Sequence, residues 1–85
     1  MNVSLQDLKL PALVISQFIL YGNCRNSRRP DFIQAAVPEK AEPLYKQFIA
    51  LLEKKLSVPV AQGQFGAKME VHLINDGPVT FVIDT

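Results

Sequence analysis

One histidine, His72, and one cysteine, Cys24, limit the metal and thiol chemistry open to this chain of 85 residues. Common zinc sites draw on three or four His, Cys or carboxylate ligands, so neither a metal nor another cofactor is expected. His72 alternates with apolar neighbours and reads as a residue on the wetter face of a strand. Cys24 stands beside Arg25 in a polar stretch, where an ordinary loop cysteine is the simpler reading. With a single cysteine, no internal disulfide can form. No glycine-rich phosphate loop and no nucleophile elbow is visible. What remains is a short polar-aromatic run, Ser16-Gln17-Phe18, a cluster of Arg25, Arg28 and Arg29, and a turn-forming stretch, Asn75-Asp76-Gly77-Pro78, followed by Thr80. Small polar groups beside an aromatic ring suit a nucleobase, because the ring stacks while the polar groups orient. Phe18 reads equally as a core residue of a buried strand. The three arginines suit phosphate, and equally a solvated loop.

Composition sets the frame around these residues. Nine Lys and Arg against eight Asp and Glu give a net charge of +1, so any contact with nucleic acid must come from a local cluster. An apolar fraction of 48% is ample for a globular fold and argues against disorder. A chain this short makes one domain that hides only about two-thirds of its unfolded surface, which leaves a thin stability margin. No run reaches the roughly 18 apolar residues of a membrane span. Met1-Asn2-Val3-Ser4 lacks the pattern of a signal peptide. A cytoplasmic protein with no membrane partner is the expectation.

The elements that must position these residues follow from pattern. Ala12 to Tyr21 is apolar except for Ser16 and Gln17 and rich in strand-favouring residues, so it is expected to be a strand covered on both faces. Gly22 to Pro30 reads as a loop. From about Glu39 to Leu56, apolar residues recur at spacings of three and four (Ala41, Leu44, Tyr45, Phe48, Leu52, Leu56), which predicts an amphipathic helix. Glu39 and Glu42 near its start, with Lys54 and Lys55 near its end, suit the helix dipole. Pro43 predicts that the regular helix begins just before it, or bends there. Val58 to Ala61 suits a short strand. Met69, Val71 and Leu73, then Val79, Phe81 and Ile83, alternate with polar or exposed partners and predict two half-buried strands joined by the turn at 75–78. The class is therefore α+β.

Three segments carry a resemblance to a known family. Ser16-Gln17-Phe18-Ile19-Leu20-Tyr21 is similar to the S-Q-F-T-L motif of the D-aminoacyl-tRNA deacylases. Arg29-Pro30-Asp31-Phe32 and Pro38-Glu39-Lys40-Ala41, with Leu44, Tyr45 and Phe48, continue the match. Phe65-Gly66-Ala67-Lys68-Met69 leads to Asn75-Asp76-Gly77-Pro78-Val79-Thr80, which resembles the N-x-G-P-x-T motif. The segments run in order across almost the whole chain. The resemblance implies a mainly antiparallel sheet with one long helix, of which this chain is the carboxy-terminal part. Family members carry roughly another half-chain ahead of this region, with the first strands of a barrel-like sheet.

The resemblance also implies an activity: hydrolysis of the ester between a D-amino acid, or glycine, and the terminal ribose of tRNA, in a homodimer. Ser16, Gln17 and Phe18 would line the pocket for the terminal adenosine, with Phe65, Met69, Asn75 and Thr80 completing substrate contacts. Gly77-Pro78, through a cis peptide bond, would enter the partner subunit's pocket as a chiral gate whose backbone carbonyls fill the space an L side chain needs. Catalysis would fall to backbone amides and to the RNA's own 2′-hydroxyl. Ile19 departs from the motif's threonine. A shortened, non-catalytic remnant that self-associates or binds RNA is the alternative. The apolar run at 12–21 and the unclosed set of strands predict a chain that, alone, associates or stays partly disordered and is a poor enzyme.

Overall fold

The computed structural model describes residues 3–77 and 79–85. The polypeptide begins with a four-residue helix, α1 (Leu5–Leu8), which the sequence pattern did not signal. Its origin is local. Ser4 is the N-cap, the Asp7 backbone N–H donates to Ser4 Oγ, and the Ser4 backbone N–H donates to Asp7 Oδ2, each at 3.0 Å. Each member of this capping box satisfies a donor that the first turn would otherwise leave open. Lys9 closes the turn in the left-handed region, φ 52°.

The chain then pairs briefly in β1 (Leu13–Val14), makes a single 3₁₀ turn at Ile19–Tyr21, and enters the main helix, α2 (Pro38–Leu56). After α2 the chain reverses at Ser57, which takes φ 58° and donates its N–H to the Glu53 carbonyl at 2.9 Å. That reversal returns the chain to β1 as β2 (Ala61–Gln62), which lies parallel to it in the register Leu13 with Ala61 and Val14 with Gln62. Two backbone hydrogen bonds of 2.9 Å fix the pair, from the Ala61 N–H to the Ala12 carbonyl and from the Gly63 N–H to the Val14 carbonyl.

The helix matches its predicted periodicity but starts earlier than Pro43 suggested. Pro38 occupies the first helical position, where its missing N–H costs nothing, and Pro43 falls inside a continuous helix. Both Pro43 and Glu39, whose carbonyl loses its partner, are exposed, so water replaces the lost bond.

The expected sheet is not there. Among the described residues the only ladder is the parallel β1–β2 pair, and antiparallel pairing is confined to one isolated bridge between Asn23 and Asp31. Of the strand expected over 12–21, only Leu13–Val14 pairs, and its latter part coils into the 3₁₀ turn. The segments 69–73 and 79–83 carry no regular structure. The physical reason is shared: a strand is stable only where a neighbour satisfies its edge, and β2 offers that for two residues.

Among the described residues three hydrophobic side chains are buried: Ile49 and Leu56 of α2, each 5% exposed, and Val60, 7% exposed, with Ala12, Val14, Tyr45, Leu52 and Val58 packed around them. At 100° per residue the apolar arc of α2 extends well beyond Ile49, Leu52 and Leu56. Its outer side, Leu44, Phe48 and Leu51, is more than half exposed. The accessible surface is 8218 Å², against about 5,000 Å² for a folded monomer of this mass. The radius of gyration is 15.4 Å, against about 12 Å for a compact domain of this length. Leu73, Ile74, Phe81, Val82 and Ile83 are all exposed as well. No helix among the described residues is long and apolar enough to cross a membrane.

Two predictions follow from this packing. Ile49→Ala should cost about 2–4 kcal/mol, a large share of what so small a core supplies, and should abolish a cooperative thermal transition by circular dichroism. The hydrogen bonds from Ser4 hold the Asp7 carboxyl below its usual value near 3.8. Because the folded value is the lower one, the cap's contribution is complete above the ordinary value and disappears as pH falls through the depressed one. Amide exchange at Asp7, followed by NMR below pH 4, should rise before that of α2.

Candidate functional site

The cavity that matters opens where β1 and β2 end and their chains part. From Val14 the backbone continues through Ile15 into Ser16-Gln17-Phe18, one wall. From Gly63 it continues through Gln64 into Phe65-Gly66, the opposite wall. The first turns of α2, with Pro38, Ala41 and Tyr45, make the floor, and Phe32, Ala35 and Ala36 close the remaining side. The volume is about 510 Å³, within the roughly 300–1,000 Å³ of small-molecule sites.

Aromatic side chains dominate the lining and hold one another. Phe18 and Phe32 meet edge to face, ring centroids 5.0 Å apart at 72°, and Tyr45 and Phe65 lie 5.7 Å apart at 42°. The contact of Phe32 with its surroundings depends on Gly22. A Cβ there would stand 3.0 Å from the Ile19 carbonyl oxygen and 3.1 Å from Phe32 Cε1. The polar groups are few. Gln17 Oε1 accepts from the Ile19 N–H at 3.2 Å, which ties the side chain to its own turn. The Tyr45 hydroxyl reaches the carbonyls of Val14, at 3.1 Å, and Gly63, at 3.0 Å. No carboxylate or imidazole belongs to the lining among the described residues.

The structure thus brings Phe65 together with the distant run Ser16-Gln17-Phe18, and adds Tyr21, Phe32 and Tyr45. In the sequence Phe32 was visible only as part of a matching segment, and Tyr45 also through the apolar period of α2. Ile19 and Leu20 are not lining residues, although Phe18 before them and Tyr21 after them are. Met69 lies behind the wall, its Cε 3.2 Å and Sδ 3.3 Å from where a Gly63 Cβ would stand. Asn75, Gly77 and Thr80 are exposed and outside the cavity. A Cβ on Gly77 would meet the Val79 backbone nitrogen at 2.8 Å and Asn75 Oδ1 at 3.4 Å, so the turn is tight around it. Pro78 lies outside the described residues.

Arg25, Arg28 and Arg29 sit on an exposed loop shaped by its own short polar bonds. Asn23 Oδ1 accepts from the Arg25 N–H at 3.0 Å. Ser27 Oγ accepts from the Arg29 N–H at 3.2 Å and donates to the Arg29 carbonyl at 2.6 Å. Arg25, with Cys24 and Asn23, borders a second, shallower cavity of about 350 Å³. His72 is exposed and pairs only with Glu70, at 3.6 Å.

The chain is thus an α+β one with an aromatic-lined cavity at the mouth of a parallel strand pair, and no carboxylate or imidazole lines it among the described residues. Comparison with known proteins supplies the family. A profile of the D-Tyr-tRNA(Tyr) deacylase family matches residues 1–84, and the chain belongs to that family. It is 49% identical to a D-aminoacyl-tRNA deacylase of Thermosipho melanesiensis, 55% to one of Protochlamydia amoebophila and 54% to one of Fusobacterium nucleatum, each over all 85 residues. The chain spans 57% of the first of these relatives and 56% of the other two.

Gly22 tests the aromatic wall. Its φ of −59° suits any residue, so Gly22→Ala acts only by sterics. It should push Phe32 from Phe18, change both sets of ring resonances in NMR spectra, and cost about 1–3 kcal/mol. Unchanged ring shifts would remove Gly22 from the account of the cavity.

Proposed function

We propose that this chain is the carboxy-terminal part of a hydrolase that cleaves the ester of D-aminoacyl-tRNA, and of glycyl-tRNA, in the cytoplasm. The observation that carries this reading is the cavity walled by Ser16-Gln17-Phe18 on one side and Phe65 on the other, in a chain of the deacylase family. The relatives' name supports the substrate class. The terminal adenosine fits a cavity of this size and lining: its base stacks on aromatic rings, and Ser16 and Gln17 orient the ribose and ester. The lack of a lining carboxylate or imidazole favours a mechanism in which backbone amides polarise the ester carbonyl and the RNA's adjacent 2′-hydroxyl assists water attack. On this mechanism no hydroxyl is required at Ile19.

Chiral selection falls to the turn at 75–80 of a second subunit in a homodimer. The tight surroundings of Gly77 support a backbone element with no room for a side chain; the part of Pro78 rests on the motif match. Asn75 and Thr80 would brace that turn, Met69 would support Phe65 from behind, and Arg25, Arg28 and Arg29 would meet tRNA phosphates. The wide apolar exposure of α2 and of 73–83 supports a chain that works in a larger assembly.

Matched D- and L-aminoacyl-tRNA decide the matter. The D ester should be hydrolysed and the L ester spared. Phe18→Ala should reduce the D rate by one to two orders of magnitude, since stacking of a base is worth about 1–3 kcal/mol. Gly77→Val should abolish it. Ile19→Thr should change turnover by less than about tenfold, whereas a 2′-deoxy terminal adenosine should be far worse. Equal hydrolysis of both enantiomers, or indifference to the 2′-deoxy change, would overturn the reading.

A further inference from the structure

The Tyr45 hydroxyl occupies a place that the pocket's chemistry does not explain. It lies at the open end of the β1–β2 ladder, 3.1 Å from the Val14 carbonyl and 3.0 Å from the Gly63 carbonyl. A phenol has one proton to donate, so that proton is shared between two strands. The Val14 carbonyl already accepts from the Gly63 N–H at 2.9 Å, the last rung of the ladder. Beyond this rung the chains separate into the two pocket walls, Ser16 to Phe18 and Phe65 to Gly66. The ring of Tyr45, meanwhile, is held from two directions: its backbone is in α2 and its ring lies at a tilt beside that of Phe65. One side chain therefore joins floor, first wall and second wall at the point where they diverge.

We infer that Tyr45 is a positioning residue for the acceptor-end site: its hydroxyl holds the two walls at the spacing that a nucleoside needs, without itself contacting the reacting ester. The inference rests on the reading of the cavity as a nucleoside site. Its ladder component is independent of that reading. The last rung is short-lived without a clamp, because the ladder holds only two residues per strand and no regular strand among the described residues flanks it. Losing the hydroxyl leaves the ring contact with Phe65 intact, lets the Gly63 rung open, and allows Phe18 and Phe65 to drift apart.

The test uses Tyr45→Phe in the full chain, with Ile49→Val as a control that weakens the core without changing a residue that lines the cavity or the Tyr45 hydroxyl. Amide exchange is followed by NMR at Gly63 and at Ala61, whose N–H makes the other inter-strand bond. Tyr45→Phe should speed exchange at Gly63 about tenfold, the scale of one intramolecular hydrogen bond, and leave Ala61 within twofold. The affinity for adenosine 5′-monophosphate should fall about tenfold, and KM for D-aminoacyl-tRNA should rise in parallel with kcat nearly constant. Ile49→Val should move Gly63 and Ala61 together and leave the nucleotide affinity alone. The inference is overturned if Gly63 exchange does not respond to Tyr45→Phe, if Ile49→Val loosens Gly63 selectively, or if Gly63 loosens with no loss of nucleotide affinity. A wild-type chain that binds no nucleotide would instead remove the nucleoside reading of the cavity, and the exchange data would still decide whether Tyr45 clamps the walls.

Discussion

The reversal after α2 governs this structure. Ser57, in the left-handed region, turns the chain so that Val60 comes back against Ile49 and Leu56. These are the only buried apolar side chains among the described residues. A left-handed conformation is unfavourable for a residue with a Cβ, and here it is held by the Ser57 N–H bond to Glu53 and by the core contact that follows it. Glu53 contributes twice, since its carboxylate accepts from the Val60 N–H at 3.3 Å. The parallel pair, the separation of the walls and the cavity between them all lie downstream of that turn.

The same economy explains the exposed surface. Burial near 25 cal/mol per Å² is what stabilises a small domain, and three buried residues supply little of it. Leu44, Phe48 and Leu51 of α2 stay more than half exposed, and the segments 69–73 and 79–83 are apolar at alternate positions without regular structure. The relatives are longer than this chain by a large fraction of their length. The cavity is lined by segments that this chain itself brings together.

Much of this was legible in the sequence, and the division is instructive. The periodicity from Ala41 to Leu56 identified α2 because helical hydrogen bonds are local and the pattern needs no information about neighbours. Ser16, Gln17, Phe18 and Phe65 were legible through motifs, and the structure gathers all four. The expected antiparallel sheet did not appear among the described residues, because alternation at Met69 to Leu73 and Val79 to Ile83 expresses a preference for a strand, while pairing is decided by which edge is available. The short helix α1 escaped a reading based on apolar period because its cause is polar: Ser4 and Asp7 bond reciprocally across three positions. Tyr45 hid in plain view, since its ring counts toward the apolar face of α2 and only its hydroxyl has a separate task.

The parallel arrangement of β1 and β2 has an entropic consequence. Strands that run the same way cannot be joined by a hairpin, and here the connection includes the loop, the 3₁₀ turn and all of α2. Closing so long a segment costs entropy that two rungs cannot return. The ladder, and the cavity at its mouth, therefore depend on the packing of α2 against Val14 and Val60 rather than on their own two rungs.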